Sequence, residues 1–426
     1  MTTAATLSAT GRPSPAAWRI IASASIGNAL EWFDLVVYGF FAVIISKLFF
    51  PAANDTVSLL LTLGTFGVSF FMRPLGALVL GVYADRVGRR ATLTLSIVLM
   101  MIGTLLIALM PTYEAIGIWA PIGIVVARMI QGFSAGGEFG SATTFLAEHT
   151  PDRRGFYASW QVASQGLTTL LAAGFGAGLT QWLSPEQLQS WGWRIPFLFG
   201  LLIGPVAYYI RTRIDETPDF LAAGPSETPL ADTFSQHRTR LLLAIGTVVL
   251  GTVATYLVLY MPTYAVKQLH IPQSAAFAAT LVTGIVQFLC APLVGHWSDR
   301  HGRTGVMFTS AALFLVLIYP LFHLLAASPT FGTMIAVQIV IGVLLSGYFG
   351  ALPALLSDLF PTRSRSTGMS LAYSIAVTIF GGFAPFIITW LISATADPYA
   401  PSFYLIFAAL VSIAALIGVR RRLGLR

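Results

Sequence analysis

Ten residues, Gly81 to Arg90 (GVYADRVGRR), recur as Gly295 to Thr304 (GHWSDRHGRT), each copy wedged between apolar stretches that leave no room for a soluble domain. A second pair, Thr150 to Gly155 and Phe360 to Gly368, falls at nearly the same offset. Two pairs at matching displacement mark a duplication. Because they sit between apolar runs, the duplicated unit is a membrane-embedded half.

The chain has 426 residues, 56% of them hydrophobic and 10% charged, against about 25% charged in ordinary soluble domains. Crossing the hydrocarbon core takes about 20 apolar residues as a helix, and about twelve such runs fill the chain. In the first half they are Trp18–Ser46, Ser58–Val82, Ala91–Met110, Ala115–Phe139, Phe156–Leu183 and Trp193–Ile210. In the second they are Leu241–Val266, Ala275–Trp297, Val306–Ala326, Phe331–Leu356, Thr367–Ile392 and Phe403–Val419. Continuous apolarity argues for helices over barrel strands, which alternate lipid-facing and lumen-facing residues. The expected organisation is a tail over 1–17, a six-helix bundle over 18–210, a Pro/Gly-containing linker over 211–240, a second bundle over 241–419 and a tail over 420–426.

A net charge of +7 would suggest nucleic acid in a soluble protein, so the placement of the cations decides. With the N-terminus inside, the loop and tail arginines, among them Arg12, Arg86, Arg153, Arg240, Arg300, Arg363 and Arg420, fall on the cytoplasmic side, while Lys47 and Lys267 fall outside. That bias orients a multi-pass chain of the cytoplasmic (inner) membrane with both termini inside, and excludes nucleic acid as a partner. No cleavable signal peptide is visible. The one cysteine, Cys290, lies within a span and makes no internal disulfide.

Ionisable groups inside a span cost at least about 2.5 kcal/mol on insertion scales and are functional candidates by default. Glu31 and Asp34 share one face of the first span and can handle a proton; alternatively one simply pairs with an arginine. Arg128, near the centre of the fourth span with Gln131 on the same face, presents planar donors suited to a carboxylate. Its competing partner is Glu31 or Asp34. Arg73, in Phe71-Met72-Arg73-Pro74, is placed nearer the cytoplasmic end, where it contacts substrate or snorkels. Gln161 and Gln165 supply neutral donors and acceptors one turn apart. Tyr256, Tyr260 and Tyr264 form a stripe that either packs between helices or lines a cavity together with Gln287, Tyr348, Tyr373 and Ser374. Charge thus concentrates in the first half and neutral polarity in the second. Dense small residues at 132–137, 172–178 and 381–382 permit close helix approach.

The loop GVYADRVGRR resembles the signature of the major facilitator superfamily. Within it the chain is similar to the metabolite:proton symporters, on Gly27–Asp34 (GNALEWFD), Phe71–Gly76 (FMRPLG), Gln131–Glu138 (QGFSAGGE), Trp191–Phe197 (WGWRIPF) and Asp215–Thr217. The resemblance implies an all-α fold of twelve membrane helices in two pseudo-symmetric six-helix halves, with the substrate site between them near the midplane. It implies a gate at Asp85, facing the positive end of the eleventh helix, with Arg86, Arg89, Arg90, Asp299 and Arg300 as further gate residues. Arg128 in ARMIQG resembles the carboxylate-carrying members.

The sequence is therefore expected to encode a proton symporter that imports a di- or tricarboxylate such as citrate or α-ketoglutarate by alternating access. Arg128 is expected to bind the substrate carboxylate with Arg73, Gln161, Gln165, Asn28, Gln131, Tyr260, Tyr348, Tyr373 and Ser374 around it, and Glu31, Asp34 or Glu138 to carry the proton. The alternatives are a carrier of another organic acid or of a zwitterionic osmolyte, such as shikimate or proline/betaine, or a proton-coupled drug exporter. No enzymatic motif is present, no cofactor or metal is expected, and the chain is expected to act as a monomer.

Overall fold

The computed structural model describes residues 15–87, 89–137, 153–212, 238–361 and 365–425. Among these residues every element is helical. The first half comprises α1 (Pro15–Phe40), α2 (Ala42–Phe49), α3 (Asp55–Phe71), α4 (Arg73–Val87), α5 (Arg89–Leu109), α6 (Tyr113–Ile116), α7 (Trp119–Ser134), α8 (Arg154–Trp182), α9 (Pro185–Ser190) and α10 (Ile195–Thr212). The second comprises α11 (Arg238–Lys267), α12 (Gln273–His301), α13 (Arg303–Ala327), α14 (Phe331–Phe349), α15 (Leu352–Leu359), α16 (Arg365–Ala376), α17 (Ala384–Thr395) and α18 (Ala400–Leu423).

Eight helices among the described residues are long and apolar enough to cross a membrane, and α1 with α2, bent by 63°, makes a ninth span. The shorter described helices α5, α7 and α10 occupy the three remaining places. The result is twelve membrane helices in two like halves, as the duplication predicts. Leu75, Leu78, Leu293 and Val316 stay exposed because their solvent is lipid. Trp119 and Trp182 lie exposed at helix ends, where an amphipathic ring suits the interface.

Two local breaks carry weight. Between α3 and α4 the helix is interrupted at Met72. Pro74 has no N–H, so the carbonyl four residues back, Phe70 O, loses its regular helical donor and accepts from Met72 N instead. The hydroxyl of Thr378 adds a second donor from the other half, at 2.9 Å. Thr378 is presented by a π-helical turn, Val377–Gly381, whose extra residue per turn re-aims a side chain. At the second break, Gly302 joins α12 to α13 with φ of +87°, a conformation that favours glycine. This explains a glycine of the repeated loop.

The halves meet along two different seams. α8 runs against α12 with backbone touching backbone: a Cβ on Gly166 would lie 2.6 Å from Phe288 N, and one on Gly295 would lie 2.4 Å from Gly155 O. In the other seam phenylalanines of one half fill glycine notches of its opposite. A Cβ on Gly67 would collide with Phe383, and one on Gly382 with Phe70.

Candidate functional site

The two buried arginines of the first half live in opposite environments. Arg128, on α7, is fully buried. Its Nη1 donates to Leu35 O at 2.9 Å and to Gln131 Oε1 at 2.8 Å, and its Nη2 donates to Ser69 Oγ at 2.9 Å. The guanidinium also lies over the Tyr38 and Phe66 rings, 4.8 and 5.1 Å from their centroids. Among the described residues no carboxylate reaches it, so the anticipated static pair with Glu31 or Asp34 does not form. Only Nε lacks a partner. The substrate ligand expected at Arg128 is, in this conformation, a clamp tying α1, α3 and α7 together.

Arg73 opens α4 just beyond the break at Met72 and is equally buried, yet Nε and Nη2 have no hydrogen-bond partner. Its contacts are aromatic: the guanidinium lies over the Trp32 ring at 4.9 Å and the Phe70 ring at 4.5 Å. Tyr256 of α11 and Tyr373 of α16 face it from the second half, and Gln165 of α8 lies beside Tyr373. Arg73 therefore sits at the seam of the two halves rather than snorkelling to an end. Its unmet donors are those of a bidentate anion ligand.

Unsatisfied buried groups cluster here. Tyr256 OH, Thr252 Oγ1, Gln287 Nε2 and both amide atoms of Gln165 are buried without a partner, although such groups normally find one. Of the tyrosine stripe, Tyr260 OH accepts from Thr389 Oγ1 at 2.9 Å and Tyr264 OH donates to Pro398 O at 2.9 Å. Tyr348 OH donates to Thr247 O at 2.7 Å. Tyr260 and Tyr348 thus spend their hydroxyls inside the second half. Tyr256 carries the open one, a distinction that spacing along a helix does not reveal. Asn28 Nδ2 donates to Ser164 Oγ at 2.6 Å and so joins α1 to α8. Gln161 and Ser374 are buried in the same region. Gln131 uses both ends of its amide, accepting from Arg128 and donating to Thr104 Oγ1 at 2.9 Å.

Asp34 is buried, its Oδ1 has no hydrogen-bond partner, and its carboxyl packs against Gly200 of α10 beside Thr104 of α5. Glu31 is half-buried. Glu138 lies outside the described residues, as do the side chains of Asp85, Arg86, Arg89 and Arg90.

The gate that the sequence predicts in the second copy of the repeat falls at a polar cluster between the halves. Asp299 Oδ1 accepts from Gly155 N at 2.8 Å and Oδ2 from Phe156 N at 3.1 Å. The uncapped amides that open α8 are thereby satisfied across the halves by a charge that also suits the positive end of the helix. Arg303 pairs with Asp358 and lies 3.6 Å from Asp299, while Arg154 lies 3.5 Å from Asp358. Arg300, expected in this gate, is exposed and makes none of these contacts. Arg303, Arg154 and Asp358 are not among the gate residues expected from the sequence, although Arg303 matches Arg89 within the repeat. At the opposite end one ion pair, Lys267 Nζ to Asp55 Oδ2 at 2.7 Å, bridges the halves. Among the described residues, polar contacts thus join the halves on both sides of the buried arginines.

Comparison with known proteins places this architecture. Residues 20–231 match the family described as "Sugar (and other) transporter", and residues 273–423 match "Major Facilitator Superfamily". A citrate-proton symporter of Klebsiella pneumoniae is 40% identical over 93% of this chain and 90% of its own. A proline/betaine transporter of Salmonella typhimurium is 35% identical over 94% and 83%. Among solved structures, a proton:xylose symporter shares the fold, with a TM-score of 0.76 at 15% identity over 95% of each chain. The chain is a membrane transporter, not an enzyme, and belongs to the metabolite:proton symporter family of the major facilitator superfamily.

Proposed function

We propose that this protein takes up a small organic acid, a di- or tricarboxylate such as citrate or α-ketoglutarate, together with protons, by alternating access. The observation that carries the reading is Arg73: a buried cation at the seam of the halves, with two guanidinium nitrogens left open and neutral unsatisfied groups around it. A carboxylate there gains charge-assisted hydrogen bonds that no protein group provides. Gln165, Tyr256, Thr252 and Gln287 then serve further substrate oxygens. The 40% identity to a citrate-proton symporter supports the substrate class.

Asp34 carries the driving proton in this reading. A buried carboxyl with one oxygen unpartnered is tolerable when the charge is removed by a proton and costly when it is not. The Asp299 and Arg303 cluster gates the cytoplasmic side, where the positive-inside pattern puts the repeated loops, in an inner membrane with the protein acting as a monomer. A second reading, a zwitterionic osmolyte, draws on the relative that carries proline and betaine and on the aromatic faces of Trp32, Phe70 and Tyr256 around a single open arginine.

Uptake of labelled citrate, α-ketoglutarate and betaine into proteoliposomes under an imposed inward proton gradient separates the two. Accumulation of either acid, lost in Arg73→Gln, supports the first. Accumulation of betaine alone replaces it with the second, and failure of all three to accumulate rejects both.

A further inference from the structure

We propose that Thr104 and Gln131 are positioning residues, a neutral hydrogen-bond relay through which the proton on Asp34 controls Arg128 and, beyond it, the break where Arg73 emerges. The inference rests on the reading of Asp34 as proton carrier.

The relay is written in the donor and acceptor chemistry. Arginine can only donate, so the Gln131 oxygen faces Arg128 and its nitrogen faces Thr104, at 2.8 and 2.9 Å. The Thr104 hydroxyl accepts from that nitrogen, leaving its own hydrogen for another acceptor. The adjacent group in want of a donor is the Asp34 carboxyl, whose Oδ1 has none. The far end of the chain is equally defined. Arg128 donates to Ser69 Oγ, and Ser69 in turn donates to Phe66 O at 2.7 Å. Ser69 lies one helical turn before Arg73, on the α3 segment where Pro74 removes an intrahelical bond. Leu35 O, held by Arg128 at 2.9 Å, closes the loop through the residue next to Asp34.

When Asp34 loses its proton, the carboxylate draws the Thr104 hydrogen. Hydrogen bonds along a chain polarise one another in a low-dielectric interior, so Gln131 Oε1 becomes the stronger acceptor and Arg128 is held harder. Protonation loosens that hold, freeing Ser69 and the notch beside it to move with the substrate. The titratable groups nearest Asp34 along its own helix are Glu31 and Tyr38, each about one turn away. α5 and α10 face it with Thr104 and Gly200, so the route to Arg128 runs through neutral groups.

The test compares two rates in proteoliposomes holding the full chain: accumulation of labelled citrate, or of betaine where citrate is not carried, under a proton gradient, and counterflow of the same solute without one. A role confined to packing lowers both rates together and leaves their ratio alone. Thr104→Val should lower the accumulation-to-counterflow ratio about tenfold, the factor that follows from losing one buried hydrogen bond, and Thr104→Ser should restore it. Thr104→Ala replaces the valine variant should that one fail to fold. Asp34→Asn should exchange solute without accumulating it. If Asp34→Asn still accumulates solute, the proton carrier is misassigned. If Asp34→Asn fails to accumulate and Thr104→Val behaves as the parent, the relay is overturned while the carrier stands.

Discussion

The second and fourth membrane helices of each half meet at a polar junction, and the two junctions differ by one charge. In the first half Arg128 reaches Ser69. In the second, Thr283 stands in for the serine at the 214-residue offset of Gly81 and Gly295, and Gln338 stands in for the arginine at the 210-residue offset of Pro151 and Pro361. Thr283 Oγ1 donates to Gln338 Oε1 at 2.7 Å, and Gln338 Nε2 donates to Thr280 Oγ1 at 2.9 Å. The neutral junction satisfies its amide and leaves nothing to switch. The charged junction holds a cation on neutral acceptors, with an acid at the far end of a two-residue bridge. Both halves keep a polar junction at this place, and the exchange of arginine for glutamine separates a neutral structural bond from the charged group of the proposed relay.

Arg128→Ala should break this contrast most severely. It orphans Leu35 O, Ser69 and Gln131 and opens a cavity, costing about 3–5 kcal/mol, so little folded protein should survive a thermal unfolding scan in detergent. Gln338→Ala, which orphans two hydroxyls that can find other acceptors, should cost about 1–3 kcal/mol by the same measurement. Equal losses at the two positions would show that the charge has no special place. Arg73→Gln comes next in size. Affinity for the transported acid in a binding titration should fall about 100-fold, near 3 kcal/mol, with the unfolding midpoint kept because no protein acceptor is left behind. A large drop in that midpoint instead would make Arg73 a second structural clamp.

Tyrosines sharpen the same distinction at smaller scale. Tyr348→Phe strips the donor from Thr247 O and should destabilise by about 1 kcal/mol. Tyr256→Phe removes a hydroxyl with no partner, so it should leave stability unchanged and weaken substrate binding by a few-fold, about 1 kcal/mol. The smallest effect belongs to the exposed end. Asp55→Asn breaks an ion pair whose acid is largely in solvent, and unfolding should shift by less than about 1 kcal/mol. Asp299→Asn, by contrast, weakens a capped helix end between the halves and should favour opening of that side, read as faster labelling of a cysteine introduced nearby.

Much of the architecture is legible before any coordinates. Twelve apolar runs, two repeated loops and the arginine bias give helices, halves and a proposed orientation, because lipid admits few other solutions for a backbone that must satisfy itself. Asp299 could be singled out because the repeat carries its acid twice, and Pro74 announces a broken hydrogen bond four residues upstream. Which of the two arginines has its donors met was not legible. Arg128 looks the better ligand along the chain, central in its span with a glutamine one turn away, and that same glutamine is one of the groups that satisfy it.

The sequence by itself determined that this chain crosses a membrane as two related helical bundles and carries rare charges inside them, since hydropathy and repetition are properties of the chain alone. Tertiary structure alone decided which buried groups are spent and which remain open. Ser69, Leu35 O, Thr104 and Thr378 reach their partners from other helices. A donor is saturated or free only by virtue of what packs against it, and that packing joins residues up to 308 positions apart.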